Sequence, residues 1–279
     1  MSRRTDALAV AHVRQAVQAA LELGARREPA RHPKPRGLST GLEALDRSLD
    51  GLQPGALYVV GGASGMGKTS LLLGITLALT ARGTGVLYVS ANETGAALAS
   101  VALAQLAGAR TKAAAELARR PLWFCDAWPA SVPELEQVVA KVARRKPLGL
   151  VVLEPFDAVV DAGRDAWDRE RTAALALRRL AQRRQLALVT TVALQPGWRA
   201  FEDRRPVLVD LRGQGMLARI ADVVLLLHRD AYYAADQAGP KHVAEIIVAK
   251  NRLGPGHGTR YVEYDASRKR FGDLEPAAR

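Results

Sequence analysis

A single cysteine, Cys125, excludes an internal disulfide from this chain of 279 residues. It stands in the apolar run Leu122-Trp123-Phe124-Cys125, which predicts a buried structural thiol. Aromatic side chains are scarce, at 5%. The histidines at 12, 32, 228, 242 and 257 are scattered, without metal-ligand spacing. No apolar run reaches the roughly 18 residues that would predict a membrane span. Arg3 and Arg4 are not followed by the hydrophobic segment of a secretory signal, so a cytoplasmic location is expected. No internal repeat is visible. Acidic residues are in the minority, 28 against 40 Lys and Arg, giving a net charge of +12. So basic a balance points to a polyanionic partner, with nucleic acid the first candidate. The alternative is a genome-wide bias toward Arg, since Ala is abundant too.

Hydrophobic residues make up 48% of the chain, enough for the core of one large α/β domain with an appendage. The most informative stretch runs from Pro54 to Gly74. Ala56 to Val60 favours a strand, and Ser70 to Ala78 continues as an apolar, helix-forming run. Between them, Gly62-Ala63-Ser64-Gly65-Met66-Gly67-Lys68-Thr69 fits G-x-x-x-x-G-K-[ST] without a mismatch, with Ser70 next. Strand, glycine loop and helix is the setting in which this motif binds a nucleoside triphosphate. The loop's N–H groups turn inward toward phosphate oxygens, and the helix N-terminus adds partial positive charge. Lys68 would reach the β- and γ-phosphates, and the Thr69 hydroxyl would ligate Mg2+. The bland reading is a glycine-rich turn that binds nothing.

Residues 5–24 carry apolar side chains at helical spacing, with Gly24 as a stop. Residues 25–37 are rich in Pro and Arg and read as an extended linker. A globular domain is therefore expected over 38–279. Within it, strands at 86–90, 122–126, 148–153, 186–192, 221–227, 242–249 and 259–264 are predicted. Helices at 41–48, 95–107, 112–119, 131–145 and 169–184 accompany them, the fourth opened by a Ser131/Glu134 capping box. The alternation predicts a mainly parallel sheet flanked by helices, with the last strands finishing it as antiparallel hairpins. The basic pairs near 119, 144, 178 and 183 lie at or near helix ends and read as solvated faces or complements to helix dipoles.

Ser39-Thr40-Gly41-Leu42-Glu43-Ala44-Leu45-Asp46 and Gly51-Leu52-Gln53-Pro54-Gly55 resemble segments shared by RecA-like P-loop ATPases, RadA and KaiC among them. The later segments Arg205-Pro206-Val207-Leu208-Val209-Asp210-Leu211-Arg212, Ile220-Ala221-Asp222, His228-Arg229-Asp230 and Glu245 to Pro255 more specifically resemble DnaB-type replicative helicases. The resemblance covers about 38–275 and implies a RecA-like fold. It also implies ATP and Mg2+ as cofactors, a homo-oligomeric, hexameric ring, single-stranded DNA in its channel, and a helicase loader or primase as further partners. Lys250 and Arg252, alternate residues of one strand, would reach the neighbouring subunit's nucleotide and stabilise charge on its γ-phosphate. The plain alternative is a solvated basic pair at a sheet edge.

Two departures bear on hydrolysis. Where the family's metal-holding strand ends in Asp, this one ends in Glu154, still an oxygen ligand though a methylene longer. Ungapped alignment puts Asn92 where the family has its catalytic Glu, with Glu93 next along. Asn cannot act as a general base, so either Glu93 has taken over or hydrolysis is crippled. The polar sensor after strand 186–192 falls on Ala193 by ungapped counting, or on Gln195 if the following loop is shorter. By analogy, loops near 161–169 and 199–219 would hold single-stranded phosphates through Arg199, Arg204, Arg205, Arg212 and Arg219. Two rivals remain: a catalytically weakened relative that binds DNA in an ATP-dependent way, and a RadA-like or KaiC-like ATPase.

Overall fold

Strand β1, Leu57–Gly61, is fully buried and lies mid-sheet, with strands stacked on both sides of it. The computed structural model describes residues 35–106, 109–159, 163–195, 205–233, 242–254 and 256–274. The 5–24 helix and almost all of the 25–37 linker lie outside them. The other strands are β2 (Gly85–Ser90), β3 (Leu122–Cys125), β4 (Leu148–Glu154), β5 (Ala187–Val192), β6 (Val223–His228), β7 (Val243–Asn251), β8 (Gly258–Asp265) and β9 (Arg270–Gly272). They form one sheet in the order β3-β2-β4-β5-β1-β6-β7-β8-β9. From β3 to β6 every pairing is parallel, and β6 to β9 are antiparallel. This is the sheet that the alternation of strands and helices predicts.

The helices are α1 (Glu43–Leu49), α2 (Lys68–Ala81), α3 (Gly95–Gln105), α4 (Arg110–Arg119), α5 (Val132–Ala143), α6 (Ala166–Arg184), α7 (Met216–Ile220) and α8 (Asp230–Tyr233). Strands β1, β2, β5 and β6 are buried along their whole length, as a parallel sheet covered on both faces requires. That is why they read as continuous apolar runs. α2 is apolar nearly all round and buried to match. Ser131 caps α5 by accepting from the Glu134 N–H at 3.4 Å, while the Glu134 carboxylate takes the N–H of Ala130. Asp165 caps α6 through the Asp168 N–H at 2.8 Å, so that helix starts three residues before the apolar pattern marks it.

The structure corrects two readings. Cys125 is half-buried, because among the described residues β3 is the edge strand, with no strand paired on its outer side. Arg178 is not a solvated charge: its Nε and one terminal nitrogen reach the Asp222 carboxylate at 3.3 and 2.7 Å. That carboxylate also accepts the Leu57 N–H at 3.1 Å, fastening α6 to the start of β1 and β6. Its burial at 4% exposure explains why it is so fully partnered.

Parallel strands deliver their carboxyl ends to one edge. Gly61 of β1, Ser90 of β2, Glu154 of β4 and Val192 of β5 all end there. Ligands of open α/β sheets bind at that edge.

Candidate functional site

The glycine loop leaves β1 at this edge. Gly65 and Gly67 take φ of +79° and +99°, a region that L side chains rarely adopt. A methyl group on Gly65 would also come within 2.5 Å of the Tyr232 hydroxyl, and one on Gly67 within 3.1 Å of the Phe271 ring. Met66, buried, anchors the loop from within, while Ser64 and Gly65 are exposed at its tip. Gly67 is the N-cap of α2 and supplies no side chain to it. The first-turn N–H groups of a helix have no intrahelical acceptor. Left without a capping side chain, they suit an anion. Ser70 is buried, and its carbonyl accepts from the Gln105 amide at 3.0 Å.

Lys68 folds back over the loop and donates to the carbonyls of Gly62 and Ala63 at 2.9 and 3.0 Å. Burial lowers its pKa, against the pull of the Glu154 and Asp157 charges. Beside it, Thr69 Oγ1 donates to Glu154 Oε1 at 2.8 Å. The second oxygen of Glu154 accepts from the Tyr88 hydroxyl at 2.5 Å. Burial raises the carboxyl pKa of Glu154, opposed by the hydrogen bonds from Tyr88 and Thr69 and by the Lys68 charge. A hydroxyl and a carboxylate beside the glycine loop are hard oxygen donors of the kind that Mg2+ takes. The chemistry of the donor set therefore fits the ion. Among the described residues no group of three or more His, Cys, Asp and Glu side chains is placed to hold a metal.

Tyr88 escaped the sequence reading. A signal was present: a tyrosine inside a wholly apolar strand brings a hydroxyl that needs a partner once buried. The aromatic wall beside the loop was missed as well. Tyr264 and Phe271 pack with ring centres 4.8 Å apart, and Arg229 lies 4.0 Å over the Tyr264 ring.

Asn92 and Glu93 both occupy the exposed turn between β2 and α3. The Glu93 N–H donates to Ser90 Oγ at 3.0 Å, and its charge adds to the raised pKa of Glu154. Gln195 donates its amide to the Val209 carbonyl at 3.0 Å, and its N–H donates to Asp210. It thereby ties the end of β5 to the 205–212 segment.

Lys250 and Arg252 converge on one place. Lys250 Nζ donates to the carbonyls of Ala218 and Arg219 at 2.6 and 2.9 Å, and Arg252 donates to the Arg219 carbonyl at 3.1 Å. Those carbonyls end α7, where positive charge is favoured. Burial, and then the charge of Arg252, push the Lys250 pKa down to about 8. Lys250 pairs with Val224 at the start of β6, whereas the glycine loop leaves β1 after Gly61, beside Leu226. The basic pair is thus directed to the opposite edge of the sheet from this chain's own loop.

Among the arginines assigned to nucleic acid, Arg199 and Arg204 lie outside the described residues. Arg205 forms a bidentate pair with Glu245 at 2.8 and 2.6 Å and reaches Asp230 at 3.3 Å. Arg212 pairs with Asp157 at 3.3 Å and is otherwise exposed. Arg219 is exposed at the end of α7.

The family model for the DnaB-like helicase C terminal domain matches residues 37–114 and 101–273. The chain belongs to this family. Over 260 residues it is 25% identical to the replicative DNA helicase DnaC of Bacillus subtilis (strain 168), covering 86% of this chain and 57% of that one. Over 253 residues it is 29% identical to the replicative DNA helicase DnaB of Treponema pallidum (strain Nichols), covering 84% of this chain and 56% of that one. The chain thus spans little more than half the length of these relatives. A solved ATPase domain superposes with a TM-score of 0.85 at 20% identity, over 95% of this chain and all of that one. A DnaB-like replicative helicase, solved in a study of its interactions with primase, gives a TM-score of 0.84 at 20% identity, over 95% of this chain and 67% of that one. At these identities the superpositions speak to fold alone, and the fold is that of DnaB ATPase domains, RecA-like. The DnaB resemblance of the 205–255 segments holds, and the RadA and KaiC alternative gives way to it.

Proposed function

We propose that the chain is the ATP-hydrolysing motor of a DnaB-type helicase, working on single-stranded DNA. The observation that carries this is the meeting of Lys68, Thr69 and Glu154 at an uncapped helix N-terminus behind a complete glycine loop. Thr69 and Glu154 would hold Mg2+, which when bound neutralises charge between the β- and γ-phosphates. Lys68 would exchange the neutral carbonyls of Gly62 and Ala63 for anionic phosphate oxygens, so that both donor and acceptor carry charge. Glu93 is the acid that can accept a proton from the attacking water. Half-buried Tyr264, packed on the buried Phe271 ring with Arg229 over it, stands beside the loop as the aromatic edge that a nucleotide base would meet.

Lys250 and Arg252 face away from their own loop, so acting on a nucleotide requires a second copy of the chain. That supports a ring with shared sites. Strand binding is assigned to Arg212 and Arg219 and to Arg199 and Arg204, which lie outside the described residues, with a loader or primase as further partners. A steady-state ATPase assay with Mg2+, with and without single-stranded DNA, tests the proposal. Hydrolysis stimulated by the strand is expected, and a folded protein that binds ATP without turnover would refute a motor. Asn92 favours one other reading, a relative that binds ATP and DNA but hydrolyses poorly. The same assay separates the two.

A further inference from the structure

Tyr88 is paired with Val152 and Ser90 with Glu154 across the parallel strands β2 and β4. Residues two apart on a strand share a face, so Tyr88 and Glu154 are diagonal neighbours on one face. Both are buried, Tyr88 completely and Glu154 to 6% exposure. The Tyr88 ring packs against Phe124, with centres 6.1 Å apart, and its hydroxyl donates to Glu154 Oε2 at 2.5 Å. Oε1 is thereby turned to Thr69. A glutamate has one more rotatable bond than an aspartate, and the added freedom must be frozen if the carboxylate is to hold one orientation.

We propose that Tyr88 is a positioning residue, whose hydroxyl fixes the long side chain of Glu154 so that Oε1 is presented beside Thr69 to the cation of the bound nucleotide. The inference rests on Glu154 being a Mg2+ ligand. Groups that orient metal-binding carboxylates commonly matter by about 10- to 100-fold in metal affinity.

The test titrates a fluorescent, non-hydrolysable ATP analogue into wild type, Tyr88→Phe, Glu154→Gln, Glu154→Asp and Tyr88→Phe/Glu154→Asp across a Mg2+ series. Tyr88→Phe keeps the packed ring and removes only the hydroxyl. Its Mg2+-free affinity should match wild type, while the Mg2+ concentration for half-maximal enhancement rises about 10- to 100-fold. In the Glu154→Asp background the same change should have little effect, since the shorter carboxylate ends a methylene nearer its strand. An unmoved Mg2+ midpoint in Tyr88→Phe overturns the proposal. So does equal weakening with and without Mg2+, which would mark a packing role. If instead Glu154→Gln leaves the Mg2+ dependence intact, the metal-ligand reading itself fails, and Tyr88 with it.

Discussion

Thr69 Oγ1 and Glu154 Oε1 are joined at 2.8 Å although 85 residues separate them in the chain. The first turn of α2 and the end of β4 are therefore tied together directly. Lys68 is the charged member of that turn, and charged hydrogen bonds contribute about 1.5–3 kcal/mol each. Lys68→Ala should weaken triphosphate binding roughly 10- to 150-fold, read by fluorescent nucleotide titration.

The base is decided by three proteins assayed together. Glu93→Gln should lower turnover about 10²- to 10⁴-fold, the usual share of general-base catalysis, while ATP affinity holds. If wild-type turnover is already at background and Asn92→Glu raises it, the ungapped alignment is right and Glu93 is not the base.

Asp222 and Arg178 make a stability prediction. Removing one partner of a fully buried ion pair costs about 3–5 kcal/mol; Arg178 is 34% exposed, so solvent reduces the loss to about 1–3 kcal/mol, and Asp222→Ala also orphans the Leu57 N–H. Urea denaturation should show a loss of that order. The pair lies at the edge of the sheet away from the glycine loop, so nucleotide affinity of the folded fraction should be unchanged.

Lys250 gives the pH dependence. Its pKa is lowered from 10.5 to about 8 by folding, so between those values the unfolded chain holds the proton more often than the folded one. Stability then rises with pH across that window, and the cost of holding the charged amine is fully present below it. Comparing wild type with Lys250→Met from pH 7 to 10.5 should show wild type gaining relative to the variant. A gap independent of pH would rule this out.

The arginines of the 205–219 segment should separate in a salt titration of strand binding. Arg212→Ala and Arg219→Ala should each lower the slope of log affinity against log salt by about 1. Arg205 is committed to Glu245 and Asp230. Arg205→Ala should therefore lower the melting temperature and leave the slope nearly unmoved.

What could be read from the residues was whatever is written locally. The glycine loop is contiguous, so its backbone, its lysine and its following helix were all visible at once. The long buried strands announced themselves as apolar runs. Partnerships across the sheet were not visible: Tyr88 meets Glu154 over 66 positions, and Arg178 meets Asp222 over 44. The burial of Cys125 was overestimated because composition does not say which strand is at the edge. β9, at three residues, and α7 and α8, at five and four, are too short for any periodicity to register.

The end of β5 is stitched to the segment after Arg205. Leu194 bridges Leu211, the Arg212 N–H reaches the Ala193 carbonyl, and Gln195 takes both Asp210 and Val209. Val207 and Val209, 55% and 72% exposed, stand on the outer side of that seam. The segment after Arg205 thus takes its position from the end of β5, and β5 lies beside β1, the strand from which the glycine loop leaves.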